Sequence, residues 1–408
     1  MRFRSSAFIQ LAILNYVFFA FFVFSNGEMI FKISRVILFV AGLLYIVGTR
    51  HIKFNIYLIC GLSFFCYHLL LICCGVAVSP TRSFEFLQTY FYSLLCNVLI
   101  VNYINYNNRF LWRILKFIPF AAFIEMMRVF CTYGFTYYLY DRGAALNGNL
   151  PGFKAAIGCL VAMYVYLVAN REKMNKGNLT LSSFVYLMLA VINVVFVILT
   201  ASRTAFLMLI VPYAVYKLVN VSNVVVLFRN IIVAVFIIIA SLASIYYIPA
   251  LYNLVGERLF SALSFLQGGV TDASTSTRML LIQNGLMFFS EHPIMGYGLD
   301  GFRTQMGIHF SNVTSYYAHN NYIEILVSGG IVGFILYYLV EIKTFGLIKN
   351  IVSNRKSKNR FEAVGCICML LCYLMTDFTS VNYYEVIPQL VIALIFSYAS
   401  YLSKIEVK

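Results

Sequence analysis

Three polar clusters in an otherwise oily chain carry residues whose types and spacing suit work on an anionic substrate. Leu199-Thr200-Ala201-Ser202-Arg203-Thr204 sets small hydroxyls beside an arginine, and Thr275-Ser276-Thr277-Arg278 repeats the pattern. Tyr317-Ala318-His319-Asn320-Asn321-Tyr322-Ile323-Glu324 puts one histidine at the mouth of an apolar run. Guanidinium groups present a planar fork of donors that matches phosphate oxygens. A helix N-terminus beside Arg278 would add backbone N–H donors to the same anion. Neutral imidazole, with an ordinary pKa near about 6.5, suits general-base work on a sugar hydroxyl. Asn320, Tyr322 and Glu324 flank the ring and are expected to orient it. Each cluster also has a plainer reading: an interfacial arginine ending a span for Arg203, a solvated surface charge for Arg278, a structural histidine for His319.

Other polar features point elsewhere. Gly296-Tyr297-Gly298-Leu299-Asp300-Gly301 matches the dinucleotide fingerprint letter for letter, but that motif needs a preceding strand and a βαβ unit, so it reads as a loop turn. Glu125 and Arg128 stand at i, i+3 within one apolar run, where mutual neutralisation near an interface accounts for both. His51, His68, His292 and His309 have no patterned neighbours. The ten cysteines lie in apolar runs, away from histidines at ligand spacing, and read as small core residues. No metal site and no cofactor is expected.

The elements that must position the clusters are membrane helices. Hydrophobic residues make up 62% of the 408-residue chain and charged residues 11%, far from a soluble domain's balance. Continuous apolar runs rather than short alternating segments exclude a β-barrel. Spans are expected at 7–24, 33–49, 54–76, 86–104, 115–134, 153–169, 181–199, 204–219, 230–248, 322–341, 361–377 and 385–402. The result is an all-α polytopic protein of about twelve transmembrane helices forming a single membrane domain over 1–408. The net charge of +15 then follows orientation rather than nucleic acid. With the N-terminus in the cytoplasm, the inner segments collect most cations, among them Lys349, Arg355, Lys356, Lys358 and Arg360. The outer segments hold fewer: Arg82, Arg142, Lys154, Arg203, Arg258, Arg278 and Arg303. Lys32 and Arg35 run against the rule and are placed by snorkelling. Both termini are thus cytoplasmic, and a large polar loop at 249–321, between spans nine and ten, faces outward. Within it, Met279, Ile282, Leu286 and Phe289 recur at helical spacing, predicting a surface-lying amphipathic helix begun by Arg278. Glu291-His292-Pro293 ends that helix.

In order and spacing, these clusters resemble the O-antigen ligase and O-antigen polymerase superfamily of bacterial surface polysaccharide assembly. The resemblance covers about residues 197–338. It rests on Thr200-Ala-Ser-Arg203, on Ser276-Thr-Arg278 leading to Gly285 and His292-Pro-Ile-Met-Gly-Tyr-Gly298, and on His319-Asn-Asn-Tyr-Ile-Glu324 ahead of Gly329-Gly-Ile-Val-Gly333. The first third of the chain matches only in hydropathy. What the resemblance implies is a glycosyltransferase-C-like fold in the bacterial inner membrane, acting at its periplasmic face on undecaprenyl-diphosphate-linked oligosaccharide without metal or cofactor. Arg203 and Arg278 would hold the donor diphosphate, and His319 would activate the acceptor hydroxyl. Ser202, Asn320, Tyr322 and Glu324 would shape the site. A chain-length regulator protein is an implied partner. Several ligases carry a second histidine two residues before the catalytic one. Tyr317 stands there instead, which inclines the reading to a polymerase, with a ligase as the alternative. A lipid-linked oligosaccharide flippase is the rival from another class, disfavoured because no internal repeat is visible.

Overall fold

Each of the twelve apolar segments falls largely on a helix. The computed structural model describes residues 2–22, 28–140, 149–170, 181–200, 202–219, 221, 223–247, 252, 273–310 and 316–406, with no strand among them. In chain order the helices are α1 (Arg2–Phe22), α2 (Met29–Thr49), α3 (Ile56–Cys73), α4 (Pro80–Tyr106), α5 (Asn108–Tyr140), α6 (Asn149–Asn170) and α7 (Leu181–Thr200). There follow α8 (Arg203–Val219), α9 (Val224–Tyr247), α10 (Ala273–Glu291), α11 (Gly301–His309), α12 (Asn321–Ser353), α13 (Arg360–Thr376) and α14 (Val386–Glu406). Among the described residues seven helices are long and apolar enough to cross a bilayer: α2, α3, α4, α12, α14, and the greater part of α6 and α7. Ser6–Phe22 and Val224–Val233 are shorter apolar stretches. The chain is a polytopic helical membrane protein. Of the expected loop at 249–321, residues 249–251, 253–272 and 311–315 lie outside the described residues, as do Arg142 and Arg258.

The described chain divides into two units, residues 1–111 with 276–408, and residues 112–275. In the first, α14 is the central pillar: every residue from Val386 to Ala399 is buried, the pattern of a helix apolar on all sides and covered on all sides. It packs against α4, α12 and α13, while α12 also packs against α3.

The feature that shapes this unit is a break in α12. Gly330 takes φ 60°, ψ −164° in the middle of the helix, a left-handed φ that favours glycine. The break frees backbone groups, and several find partners in the turn after α10. Tyr297 N–H donates to the Val327 carbonyl at 2.9 Å and Gly298 N–H to that of Ser328 at 2.8 Å. In return Ile331 N–H donates to the Pro293 carbonyl at 2.8 Å. A helix interrupted within a membrane is tolerated only where its orphaned groups are paired again, and here residues 293–298 pair them. The fingerprint-like glycines therefore serve backbone approach: a Cβ on Gly296, itself at φ +69°, would sit 2.5 Å from the Val327 oxygen. Gly329 and Gly333 likewise admit a close approach, made by Tyr67 and His68 of α3.

In the second unit α6 packs along α7 and against α8. Lys154, assigned from the sequence to an outer segment, is instead a buried residue of α6. Its Nζ lies 3.1 Å from Glu125 Oε1, while Arg128 Nε lies 2.9 Å from Oε2. One buried carboxylate thus faces two cations, and an apolar setting makes such pairing obligatory. The plainer reading of Glu125 and Arg128 holds, with a third member added.

Candidate functional site

The histidine cluster is built on the N-terminus of α12. Asn320 is the N-cap: its side-chain oxygen accepts from Ile323 N–H at 3.1 Å, satisfying one orphan donor of the first turn. Glu324 Oε2 reaches back to accept from Ala318 N–H at 3.2 Å. Tyr322 donates its hydroxyl to the Leu374 carbonyl at 2.8 Å. None of the three bonds to the imidazole, so the expectation that they orient the ring is corrected: they fix the backbone on either side of it. The ring lies against Tyr317 instead, centroids 3.9 Å apart. His319 itself has φ 50°, a left-handed conformation uncommon for a residue with a Cβ and characteristic of functional turns held by their surroundings.

Those surroundings are a buried polar knot. Asn321 Oδ1 accepts from Asn382 N–H at 2.8 Å and Tyr383 N–H at 3.3 Å, and its Nδ2 donates to the Tyr338 hydroxyl at 3.1 Å. Asn321 N–H donates to the Asp377 carbonyl at 2.6 Å. The Asp377 carboxylate accepts from Asn382 Nδ2 at 2.6 Å and from Tyr338 at 2.8 Å. The knot ties the start of α12 to the end of α13 and to the 377–385 loop. Replacing Asn321 with leucine strands two buried backbone N–H groups, each worth about 1–3 kcal/mol. The expected result is a drop of about 3 kcal/mol in stability, seen as a lowered Tm in detergent.

On the other side, a small apolar core of Leu281, Phe288, Phe302, Ala318, Ile323 and Val327 joins α10, α11 and α12. The α10 helix is where the sequence puts one, but it begins at Ala273, so Arg278 lies in its second turn rather than at its start. It buries Leu281, Gly285 and Phe288; of the predicted stripe, Ile282 and Phe289 pack against that core, while Met279 and Leu286 are about half exposed.

This packing gathers charge around His319. Burial, then the Arg278 and Arg303 guanidiniums, press its pKa down to about 4, so the ring is neutral at physiological pH. Arg303 lies 5.8 Å from the Tyr317 ring centroid and 3.6 Å from Asp300 Oδ1. Asp300, buried and in the left-handed region at φ 59°, takes Arg82 at 2.6 Å on its other oxygen. Burial raises its carboxyl, opposed by those two arginines. The charges of Arg278 and Arg303 thus both act on His319. Arg303, Asp300, Arg82 and Asp377 are additions. The i, i+3 spacing of Asp300 and Arg303 was a usable signal for the first pair.

Arg203 belongs to the second unit. It is the first residue of α8, preceded by Ser202, whose hydroxyl accepts from Ala205 N–H at 3.4 Å. A Cβ on Gly152 of α6 would meet Ser202 and Thr200 at 2.8 Å, so both residues pack closely on α6. Among the described residues no three His, Cys, Asp or Glu side chains form a metal-ligand set.

The described site is thus a histidine turn at the mouth of a broken membrane helix, with arginine charge acting on the ring. The family model described as O-antigen ligase matches residues 187–338, which sets that segment, with Arg203, Arg278 and His319 inside it, in the O-antigen polymerase and ligase superfamily. Members of that family are glycosyltransferase-like enzymes. No curated protein matches the chain.

Proposed function

We propose that the chain is a polysaccharide polymerase of glycosyltransferase-C-like fold, transferring a growing glycan from undecaprenyl diphosphate to the next lipid-linked repeat unit. The observation that carries this reading is His319, set in a left-handed turn at the capped start of a broken helix with its ring against Tyr317. The imidazole takes the proton of an acceptor hydroxyl as that oxygen attacks the anomeric carbon. The bond to the diphosphate breaks with its electron pair passing to the leaving oxygen. Arg278, with Arg203 as the second cation inferred from the sequence, holds the charge that develops there. On this reading the guanidiniums fill the part a divalent ion plays elsewhere, and no metal is required. Asn320, Tyr322, Glu324 and Ser202 shape the site through the backbone. The charge distribution between spans supports an active site facing the periplasm, with both termini in the cytoplasm.

Polymerase is preferred to ligase because Tyr317, whose ring lies against His319, occupies the position of a second histidine. The ligase reading has the description of the matching family in its favour. A gel of lipid-linked and surface glycans from a deletion strain separates the two. Single repeat units on the acceptor with loss of the ladder is the expected result. Accumulation of long lipid-linked chains that never reach the lipid A-core would overturn the polymerase reading in favour of the ligase.

A further inference from the structure

We propose that a small cavity inside the first unit, walled by α3, α4, α12 and α14, is a binding site for one sodium ion, with the Glu341 carboxylate as its charged ligand. The ion takes no part in the transfer step, so the proposal stands independently of the polymerase reading.

The polar lining comes from Tyr57 and Gly61 of α3, Tyr90 of α4, Tyr337 and Glu341 of α12, and Gln389 of α14. A volume of about 20 Å³ admits one water-sized occupant. Glu341 is 6% exposed, and its Oε2 has no hydrogen-bond partner among the described residues. Nor does any lysine, arginine or histidine among them form an ion pair with it. The other ionisable groups around it are Tyr57 and Cys60 of α3, Tyr90 of α4 and Tyr337 of α12, with Tyr373 and Asp377 from α13 and the loop beyond. None of them carries positive charge. A bare carboxylate inside a membrane bundle is too costly to stand, so compensating charge has to come from outside the chain.

Hydrogen-bond direction decides which form that charge takes. Gln389 Nε2 spends its two hydrogens on the Tyr337 hydroxyl at 3.1 Å and the Asn382 carbonyl at 3.2 Å, so the rest of its amide is an acceptor. Tyr90 donates its hydroxyl to the Gly61 carbonyl at 3.4 Å, which leaves its oxygen as an acceptor too. With Glu341 Oε2 the lining offers three acceptors, and the hydroxyls of Tyr57 and Tyr337 can serve in either role. A proton on Oε2 would answer one acceptor and fill none of the space. A cation answers all of them at once. An all-oxygen set with a single carboxylate suits a hard monovalent ion rather than a divalent or thiolate-seeking metal, and a cavity the size of one water suits sodium better than the larger potassium. The site also adjoins the histidine turn. Because α12 folds back at Gly330, Tyr322 stacks on Tyr338 with centroids 5.3 Å apart, and Glu341 lies one turn on from Tyr338. Gln389 joins cavity to knot, since Asn382, whose carbonyl it holds, donates its N–H to Asn321 at 2.8 Å. An ion shared by Glu341 and Gln389 therefore braces the base on which that turn rests.

The test uses the full chain in lipid nanodiscs, with sodium chloride as the probe against potassium and choline chloride at equal ionic strength. Saturating sodium should raise Tm by about 2–4 °C over choline, potassium should do so only weakly, and radioactive sodium should bind once per chain. In choline Glu341 takes up a proton instead. Adding sodium should therefore remove a carboxylic-acid band from the infrared spectrum and release one proton. Glu341→Gln keeps the shape and removes the charge. It should fold, and it should lose the sodium binding, the Tm shift and the band. Equal Tm in sodium and choline, or an acid band that sodium leaves in place, would overturn the proposal in favour of a protonated Glu341 holding a water. An equal shift in potassium would defeat the assignment to sodium, and an unchanged shift in Glu341→Gln would place the ion elsewhere. If Glu341→Gln does not fold, the wild-type infrared difference between sodium and choline decides alone.

Discussion

A protein carrying alanine at position 319 is expected to reach the membrane in normal amounts, bind diphosphate lipid, and make no polymer. General-base catalysis contributes typically about 10²–10⁴ in rate, so turnover should fall at least a hundredfold with little change in donor affinity, because the cations that hold the donor are untouched. Removing the side chain should not unfold the turn, since the bonds that fix it run through Asn320, Glu324 and Asn321 rather than the imidazole. Alanine even inherits the left-handed φ of 50° at a cost of about 1–2 kcal/mol. The measurement is turnover of a lipid-linked repeat alongside equilibrium binding of the same lipid. A flippase has no evident need for this base, so full glycan assembly by the variant would remove the enzyme reading altogether.

Gly330→Ala is expected to do the largest structural damage of any single methyl added to this chain. At φ 60° an added Cβ costs about 1–2 kcal/mol from conformation alone. It would also collide with the Ile294 carbonyl carbon and oxygen, which belong to backbone and cannot rotate away. Overpacking adds about 1–3 kcal/mol, and separation of the two segments would unpair the bonds from Tyr297, Gly298 and Ile331. Because Pro293 to Asp300 is seated on the break and Asp300 positions Arg303, activity should fall together with stability, read as Tm and polymer length on the same preparation. Gly346, on the same helix with open space around it, is the control: its alanine variant should behave as wild type.

Much of the architecture was legible because bilayer helices announce themselves by apolar length. All twelve segments fall on helices, and α10 ends where Glu291-His292-Pro293 says it should. The glycine signals were legible in kind but not in pairing: Gly296 and Gly330 are 34 positions apart in sequence, and only the fold reveals that each exists to admit the other's backbone. Lys154 was misassigned because a lysine near an apolar run reads as an interfacial charge, and its partner Glu125 lies on another helix. For His319, type and setting were readable, but the roles of its neighbours were not. Asn320 and Glu324 have the right chemistry to touch the ring and spend it on backbone N–H groups instead. Asp377 gave little signal, a single acid after an apolar helix, because its importance comes from Asn321, distant in sequence, and from Asn382 across a short loop.

The most direct test of the central claim is reconstitution of the purified full chain with a single lipid-linked repeat unit as both donor and acceptor, following glycan length and released undecaprenyl diphosphate together. Longer lipid-linked glycans, with one diphosphate lipid released per linkage formed and both absent in His319→Ala, are the predicted result. Equal activity of the wild-type and His319→Ala proteins, or diphosphate release without any glycan lengthening, would contradict the account.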